Sequence, residues 1–227
     1  MRMADLVPAS KLANNYGAKC IAYGGPGSGK TPLVKTAPRP VMLVIEPGML
    51  SMRDATNVPA FEAYTVERIN EFFKWLKESA EAKNFDTVCI DSVSQMAEVI
   101  LEKKKKTISH GLKAYGEMAE DVLRILNDLY YLRNKHMYLI AKQDSYDEGG
   151  TSKRRPYFPG QDLKVKVPHL FDQILHIGPA MIPSVGNDIP AIRCKGTIDI
   201  TARDRSGNLA DLEPMNLTAL FNKTMAQ

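Results

Sequence analysis

Residues 24–31 read Gly24-Gly25-Pro26-Gly27-Ser28-Gly29-Lys30-Thr31, matching the spacing G-x-x-x-x-G-K-[ST] at every fixed position. An apolar run, Cys20-Ile21-Ala22-Tyr23, precedes it, and Leu33 and Val34 follow. A strand, a glycine-rich loop and a helix are expected in that order, the context in which such a loop holds phosphate. The glycines let successive backbone N–H groups turn inward, and a helix N-terminus adds positive potential. Gly25, Pro26, Gly27, Ser28, Gly29, Lys30, Thr31 and Pro32 form the expected cradle for a nucleoside triphosphate. Lys30 is placed to reach the β- and γ-phosphates, and Thr31 to offer its hydroxyl to Mg²⁺. Pro32 is a departure. It lacks the N–H that this position would turn toward the α-phosphate, so weaker binding there is expected.

A length of 227 residues suits one domain with a full core, and a hydrophobic fraction of 44% is ordinary for a soluble globular protein. The first residues, Met1-Arg2-Met3-Ala4-Asp5, carry no apolar signal segment, and no apolar stretch is long enough to cross a bilayer. No membrane association is expected. Cys20, Cys89 and Cys194 lie far apart in apolar contexts without metal spacing, which suits buried free thiols and a cytoplasmic protein. The net charge of +4 is mild, but the basic residues cluster. Lys103-Lys104-Lys105-Lys106 form one run, and Lys153-Arg154-Arg155 form another beside Tyr157 and Phe158.

Strand and helix patterns alternate along the chain, which predicts a mostly parallel sheet covered by helices. Val41–Ile45 reads as a second buried strand and Phe85–Ile90, ending at Asp91, as a third. Met137–Ala141, ending near Gln143, reads as a fourth. Helices are expected over 66–83, from Ser92 to Glu102, and over 115–133, each from apolar residues at helical spacing. From Asp144 to Pro168 no periodicity is visible, and glycines and prolines predict a long functional loop. Short strands at 174–177, 189–194 and 197–202, with turn signals at Pro183, Gly186-Asn187 and Ser206-Gly207-Asn208, predict antiparallel additions to the sheet. A short helix near Leu217–Phe221 closes the chain.

Asp91, at the end of an apolar strand, is the expected partner of Thr31 in holding Mg²⁺, although Asp91 or Ser92 could also cap the following helix. The residue after Asp91 is serine, so a base for an attacking water must come from elsewhere. Glu46, just past the second strand, is the first candidate, and Asp54 is its competitor. Glu46 lies at the sheet edge where open α/β folds bind ligands, and Asp54 lies farther into the loop. Gln143 sits at the same edge, where a neutral amide can hydrogen-bond the γ-phosphate or the water.

This order of parts resembles the RecA-type recombinase core: the phosphate loop at 24–31, Glu46 after the next strand, Asp91-Ser92, a basic loop, a long helix, and Gln143 before a second loop. More narrowly, the chain is similar to the compact phage-encoded RecA-like ATPases of the Sak group of single-strand annealing proteins, over roughly residues 18–205. The resemblance implies an α/β, RecA-like P-loop NTPase with a mostly parallel central sheet flanked by helices, plus antiparallel C-terminal strands. Residues 1–17 would be an N-terminal extension and 18–227 a single ATPase domain. ATP and Mg²⁺ are the implied cofactors, Glu46 the general base, and Gln143 the link between γ-phosphate and DNA.

Single-stranded DNA is the implied partner. Lys103, Lys104, Lys105, Lys106 and Lys113 would serve a first DNA segment, and Lys153, Arg154, Arg155, Tyr157 and Phe158 a second, spanning Asp144–Gln161. Cations neutralise phosphates and aromatic faces stack bases, so the composition of these segments agrees. A homo-oligomer, ring or filament, is implied, in which Lys195, Arg203 or Arg205 of a neighbour completes the ATP site. A single-strand binding protein is a further candidate partner. The implied activity is DNA-stimulated ATP hydrolysis serving annealing or strand exchange in homologous recombination, in the host cytoplasm for a phage-encoded protein. An ATP-binding switch with little turnover, and another P-loop motor or helicase-loader ATPase, are the alternatives.

Overall fold

A computed structural model describes residues 6–13, 16–181 and 188–226. The turn signals at Pro183 and Gly186-Asn187 lie outside the described residues. In chain order the elements begin with α1 (Ala9–Ala13), β1 (Lys19–Tyr23), β2 (Pro40–Val44), β3 (Ala60–Glu62) and α2 (Val66–Glu78). They continue with β4 (Thr87–Asp91), α3 (Val93–Thr107), α4 (Gly111–Tyr130), β5 (His136–Ala141), β6 (Gln143–Glu148), β7 (Thr151–Pro156) and α5 (Gln161–Leu170). The chain closes with β8 (Gln173–Met181), β9 (Asp188–Arg193), β10 (Arg203–Asp204), β11 (Leu212–Glu213) and α6 (Leu217–Thr224).

Nine strands form one sheet in the order β11-β9-β8-β1-β5-β4-β2-β3, with β10 pairing beside β8. The six from β8 to β3 run parallel, and β9, β10 and β11 add antiparallel pairings. The core parallel strands are buried on both faces, which is why β1, β2, β4 and β5 read as continuous apolar runs. Alternate residues serve opposite layers. Ile21 and Tyr23 pack with α2, α3, α4 and α5, whereas Cys20 and Ala22 pack with α6 and the turn after the glycine-rich loop. Strand order switches at β1, although direction does not: its parallel neighbours β5 and β8 both come from later in the chain, while β2 lies beyond β4. In open α/β sheets such a switch point opens a ligand crevice at the carboxyl ends of the strands.

Several element boundaries differ from those expected. The helix after Thr31 is one 3₁₀ turn, Pro32–Thr36, because Pro38 and Pro40 follow at once and the residue before a proline leaves helical geometry. Loop amides and Lys30, rather than a long helix dipole, must therefore meet the phosphates. Helix α2 stops at Glu78, and Glu81–Asn84 form a separate 3₁₀ turn. Helix α3 runs on to Thr107, so the lysine run is helical and not a loop. Helix α4 starts earlier, at Gly111, where His110 caps it by accepting the Lys113 N–H at 3.4 Å.

The expected long loop over 144–168 is structured. Its first part is the β6–β7 hairpin, turned by Gly149 and Gly150 at φ 61° and 81°, and its last part is α5. Both hairpin strands are mostly polar and partly exposed up to the buried Pro156, so no apolar alternation betrays them. The glycine pair was the available signal. Residues 197–202 form no strand; they cross to the hairpin, with Arg154 N–H donating to Asp199 O and Thr201 N–H to Arg154 O. The edge strand β3 is three residues of mixed exposure, too short for a periodic signal.

Candidate functional site

The glycine-rich loop leaves β1 between β5 and β8, with Gly27 and Gly29 at φ 74° and 94°, a region open to glycine. Lys30 Nζ donates to Gly24 O and Gly25 O, both at 2.8 Å, and to Ser28 Oγ at 3.2 Å. Below it, Tyr138 of β5 donates its hydroxyl to Lys30 O at 3.1 Å and pins the loop to the sheet. Burial lowers the Lys30 pKa, and the Asp91 and Glu46 carboxylates work against that shift. Those two charges keep a cation in place for phosphate.

Asp91 ends β4, two strands from β1, and accepts the Thr31 hydroxyl on Oδ2 at 2.6 Å. Burial raises its pKa, the Thr31 bond lowers it, and the nearby Glu46 adds a further rise. A hydroxyl and a nearly buried carboxylate at one point are a set of hard oxygen donors. Mg²⁺ binds through one or two protein oxygens plus substrate phosphates rather than in a cage of protein ligands. The arrangement fits that mode, and among the described residues no cluster of three or more His, Cys, Asp or Glu offers a cage elsewhere. Ser92 takes the capping role instead, its hydroxyl accepting the Gln95 N–H at 3.1 Å.

Glu46 follows β2, held where its N–H and that of Ile45 both reach Asp91 O. Its Oε1 accepts the Ser92 hydroxyl and lies 3.7 Å from Lys142 Nζ. Asp54 pairs instead with Lys35, at 2.5 Å on the exposed surface. Gln143 opens β6, and its Oε1 lies 3.3 Å from His176 Nε2 on β8. Lys30, Thr31, Glu46, Asp91, Lys142 and Gln143 all line one open cavity of about 470 Å³. The fold thus brings together the loop, Asp91, Glu46 and Gln143. A larger cavity, about 750 Å³, lies by Tyr16, Tyr130, Asp172 and Arg205, among residues at the amino ends of the strands, and contains none of this chemistry.

The three residues expected to complete a neighbour's site make contacts within their own chain. Arg203 spends its guanidinium on Pro168 O and Phe171 O, and Arg205 donates to His169 O at 2.8 Å. Both cap the carbonyl end of α5, which leaves orphan acceptors as any helix end does. Lys195 pairs with Asp211 at 2.8 Å. None of the three lines the 470 Å³ cavity.

The basic segments are mostly paired within the chain: Lys103 with Glu67, Lys104 with Glu117 and Asp121, Lys153 with Glu148, Arg154 with Asp199, and Arg155 with Asp144. Lys113 keeps a distant contact with Glu117 at 3.9 Å. Lys105 lies over the Tyr115 ring at 5.1 Å. Phe158 is fully buried in the core, so it has no face for a base and anchors the hairpin exit instead. Tyr157 is half buried beneath Lys164, which sits 5.9 Å from its ring.

Three further residues lie beside these groups or beside the basic segments. Lys142 and His176 carry no motif signal, because only folding brings them beside Glu46 and Gln143. Tyr115, inside an expected helix, lines an apolar cavity of about 480 Å³ with exposed Leu112 and with Pro159 and Gly160. The two segments expected to contact DNA meet there. Gly160 approaches so closely that a Cβ on it would stand 3.2 Å from the Tyr115 ring.

No curated protein matches the chain. Among solved structures, the KaiC-like protein PH0186 from the hyperthermophilic archaeon Pyrococcus horikoshii OT3 is similar, with 12% identity over 78% of this chain and 79% of that one, at a TM-score of 0.48. The profile of the AAA domain family matches residues 16–205, spanning the glycine-rich loop, Glu46, Asp91 and Gln143. With a phosphate loop, a facing Thr31–Asp91 pair and this match over most of its length, the chain belongs to the AAA domain family of P-loop ATPases.

Proposed function

We propose that this protein is a Mg²⁺-dependent ATP hydrolase whose nucleotide state governs its hold on single-stranded DNA, in annealing or strand exchange. One observation carries the reading. Gln143 lines the ATP cavity and is also the first residue of the β6–β7 hairpin, which leads to the Tyr157–Gly160 segment beside Tyr115. The resemblance to the compact annealing ATPases of the Sak group supports the same reading.

In hydrolysis, the loop amides and Lys30 hold the triphosphate. Thr31 and Asp91 are the residues that would hold Mg²⁺, which when bound supplies charge neutralisation across the β- and γ-phosphates. Glu46 accepts a proton from the attacking water as its oxygen bonds to the γ-phosphorus. The bond from that phosphorus to the β–γ bridging oxygen breaks, and ADP departs with the electron pair. Gln143 hydrogen-bonds the γ-phosphate, so cleavage removes a contact at the root of the hairpin.

DNA is the partner proposed for the Tyr115 groove: bases stack on Tyr115 and Tyr157, and phosphates meet Lys105, Lys106 and Lys113. Assembly into a homo-oligomer and a cytoplasmic setting belong to the same proposal. The test is the ATPase rate of wild type and Lys30→Ala with and without single-stranded DNA, beside DNA binding at low and high salt. Stimulation and salt-sensitive binding that both need ATP are expected. No DNA affinity in any state overturns the DNA reading and leaves the ATPase.

Pro32 and the serine after Asp91 favour a second reading, an ATP-binding switch with little turnover. Single-turnover hydrolysis decides it. In a pure switch, Glu46→Gln changes nothing, whereas in a hydrolase it stops the chemistry.

A further inference from the structure

Lys142 bridges the hydrolytic site and the helix layer. Its Nζ donates to Gln95 Oε1 and to Glu98 Oε2, both at 2.7 Å on α3, and stands 3.7 Å from Glu46 Oε1. Ser92 donates its hydroxyl to the same Glu46 oxygen. Glu46 itself lies just past β2, outside any helix or strand, so its side chain depends on such donors for a fixed direction. Ser92 opens α3 as its cap and Lys142 leaves β5, so two rigid elements meet at one carboxylate.

We propose that Lys142 is the positioning residue of Glu46, its ammonium group holding that carboxylate toward the phosphate cavity. The inference rests on the reading of Glu46 as general base. An ion pair this exposed adds little to folding stability, so its value lies in orientation. A catalytic group displaced by about 1 Å can lose up to about a hundredfold in rate. The simpler role, a strut tying β5 to α3, uses only the Glu98 and Gln95 bonds. The contact with Glu46 distinguishes the two roles.

Single-turnover ATP hydrolysis by the full chain tests this, with nucleotide affinity and melting temperature measured beside it. Lys142→Met is expected to slow hydrolysis roughly tenfold or more at nearly unchanged affinity, and Lys142→Arg to recover most of the rate. Glu98→Gln, which takes the charge from the strut and leaves the Glu46 contact, stays within about twofold of wild type. In a Glu46→Gln background, Lys142→Met adds no further loss. Equal losses in Lys142→Met and Glu98→Gln overturn the proposal, as does a Lys142→Met loss undiminished by Glu46→Gln. A slow Glu46→Gln beside an unimpaired Lys142→Met overturns the positioning role alone. A Glu46→Gln variant at the wild-type rate overturns the general-base reading, and the positioning role with it.

Discussion

His176 Nε2 on β8 lies 3.3 Å from Gln143 Oε1 at the root of the hairpin, and the His176 ring packs edge-on against Tyr23 at 5.1 Å. Tyr23 in turn donates its hydroxyl to Arg154 O and Thr201 O, at 2.9 and 2.8 Å. With the ring nitrogen donating to its carbonyl oxygen, the Gln143 amide is fixed, and its NH₂ group is left for the cavity. His176→Leu removes that donor from a nearly buried position. We expect kcat for ATP hydrolysis to fall about tenfold with KM within about twofold, and His176→Asn to retain more activity than leucine. Steady-state kinetics of the three proteins checks this.

The same histidine gives a pH dependence. Burial, then repulsion from Arg154, Arg193 and Lys30, partly offset by Asp199, lowers its pKa from 6.5 to about 4. A depressed folded-state pKa means that the unfolded chain binds the proton more readily. Its stabilisation is therefore complete above about pH 6.5 and is lost as pH falls through about 4. Thermal unfolding from pH 7 to 4 should show a steeper fall for wild type than for His176→Gln.

Asp91 has the opposite sign. Burial raises its pKa, so the folded state binds its proton more tightly than the unfolded chain, and the charged form destabilises the fold. The stability its proton provides is present below the unfolded pKa and is lost as pH rises through the folded one. Asp91→Asn should melt at or above the wild-type temperature at neutral pH while losing Mg²⁺-dependent hydrolysis by at least about a hundredfold. Calorimetry beside an ATPase assay reads both effects.

Phe158 is a core residue, whereas Tyr115 borders the groove proposed for DNA. Phe158→Ala should cost about 3–5 kcal/mol of folding stability, as for a fully buried aromatic side chain. Tyr115→Ala should cost far less stability, yet weaken single-stranded DNA binding by about 1–3 kcal/mol if bases stack there. Denaturant unfolding and fluorescence anisotropy separate the two, and equal DNA losses would argue against the Tyr115 groove.

Pro32 sits at the first position of the 3₁₀ turn after Thr31, where a serine would supply one more N–H toward the α-phosphate. Pro32→Ser should tighten nucleotide binding severalfold, by about the value of one hydrogen bond to a charged group. Isothermal titration with ATP and ADP measures the change for both nucleotides.

The central parallel strands β1, β2, β4 and β5 were legible because burial on both faces writes them as unbroken apolar runs, as in Val41–Val44 and Met137–Ala141. Helix interiors were legible by their apolar spacing, but helix ends were not. Helix α3 continues through four lysines because ion pairs with Glu67, Glu117 and Asp121 satisfy two of them on its surface. The β6–β7 hairpin stayed hidden because its stability comes from backbone pairing and polar cross-links, which leave no hydrophobic period.

By itself the sequence determined the phosphate loop, the Thr31–Asp91 pairing, the α/β class and the cavity positions of Glu46 and Gln143. These follow from local spacing, and from the rule that strands in such a sheet deliver their following residues to one edge. Tertiary structure alone decided which charges are available. It spent Arg203 and Arg205 on the end of α5, paired most of the basic segments internally and buried Phe158. It also set Lys142 against Glu46 and His176 against Gln143. Those pairings join residues 96 and 33 positions apart, as read from their numbering. No local pattern encodes such contacts, because they exist only once the sheet order has placed β2, β5 and β8 around one cavity.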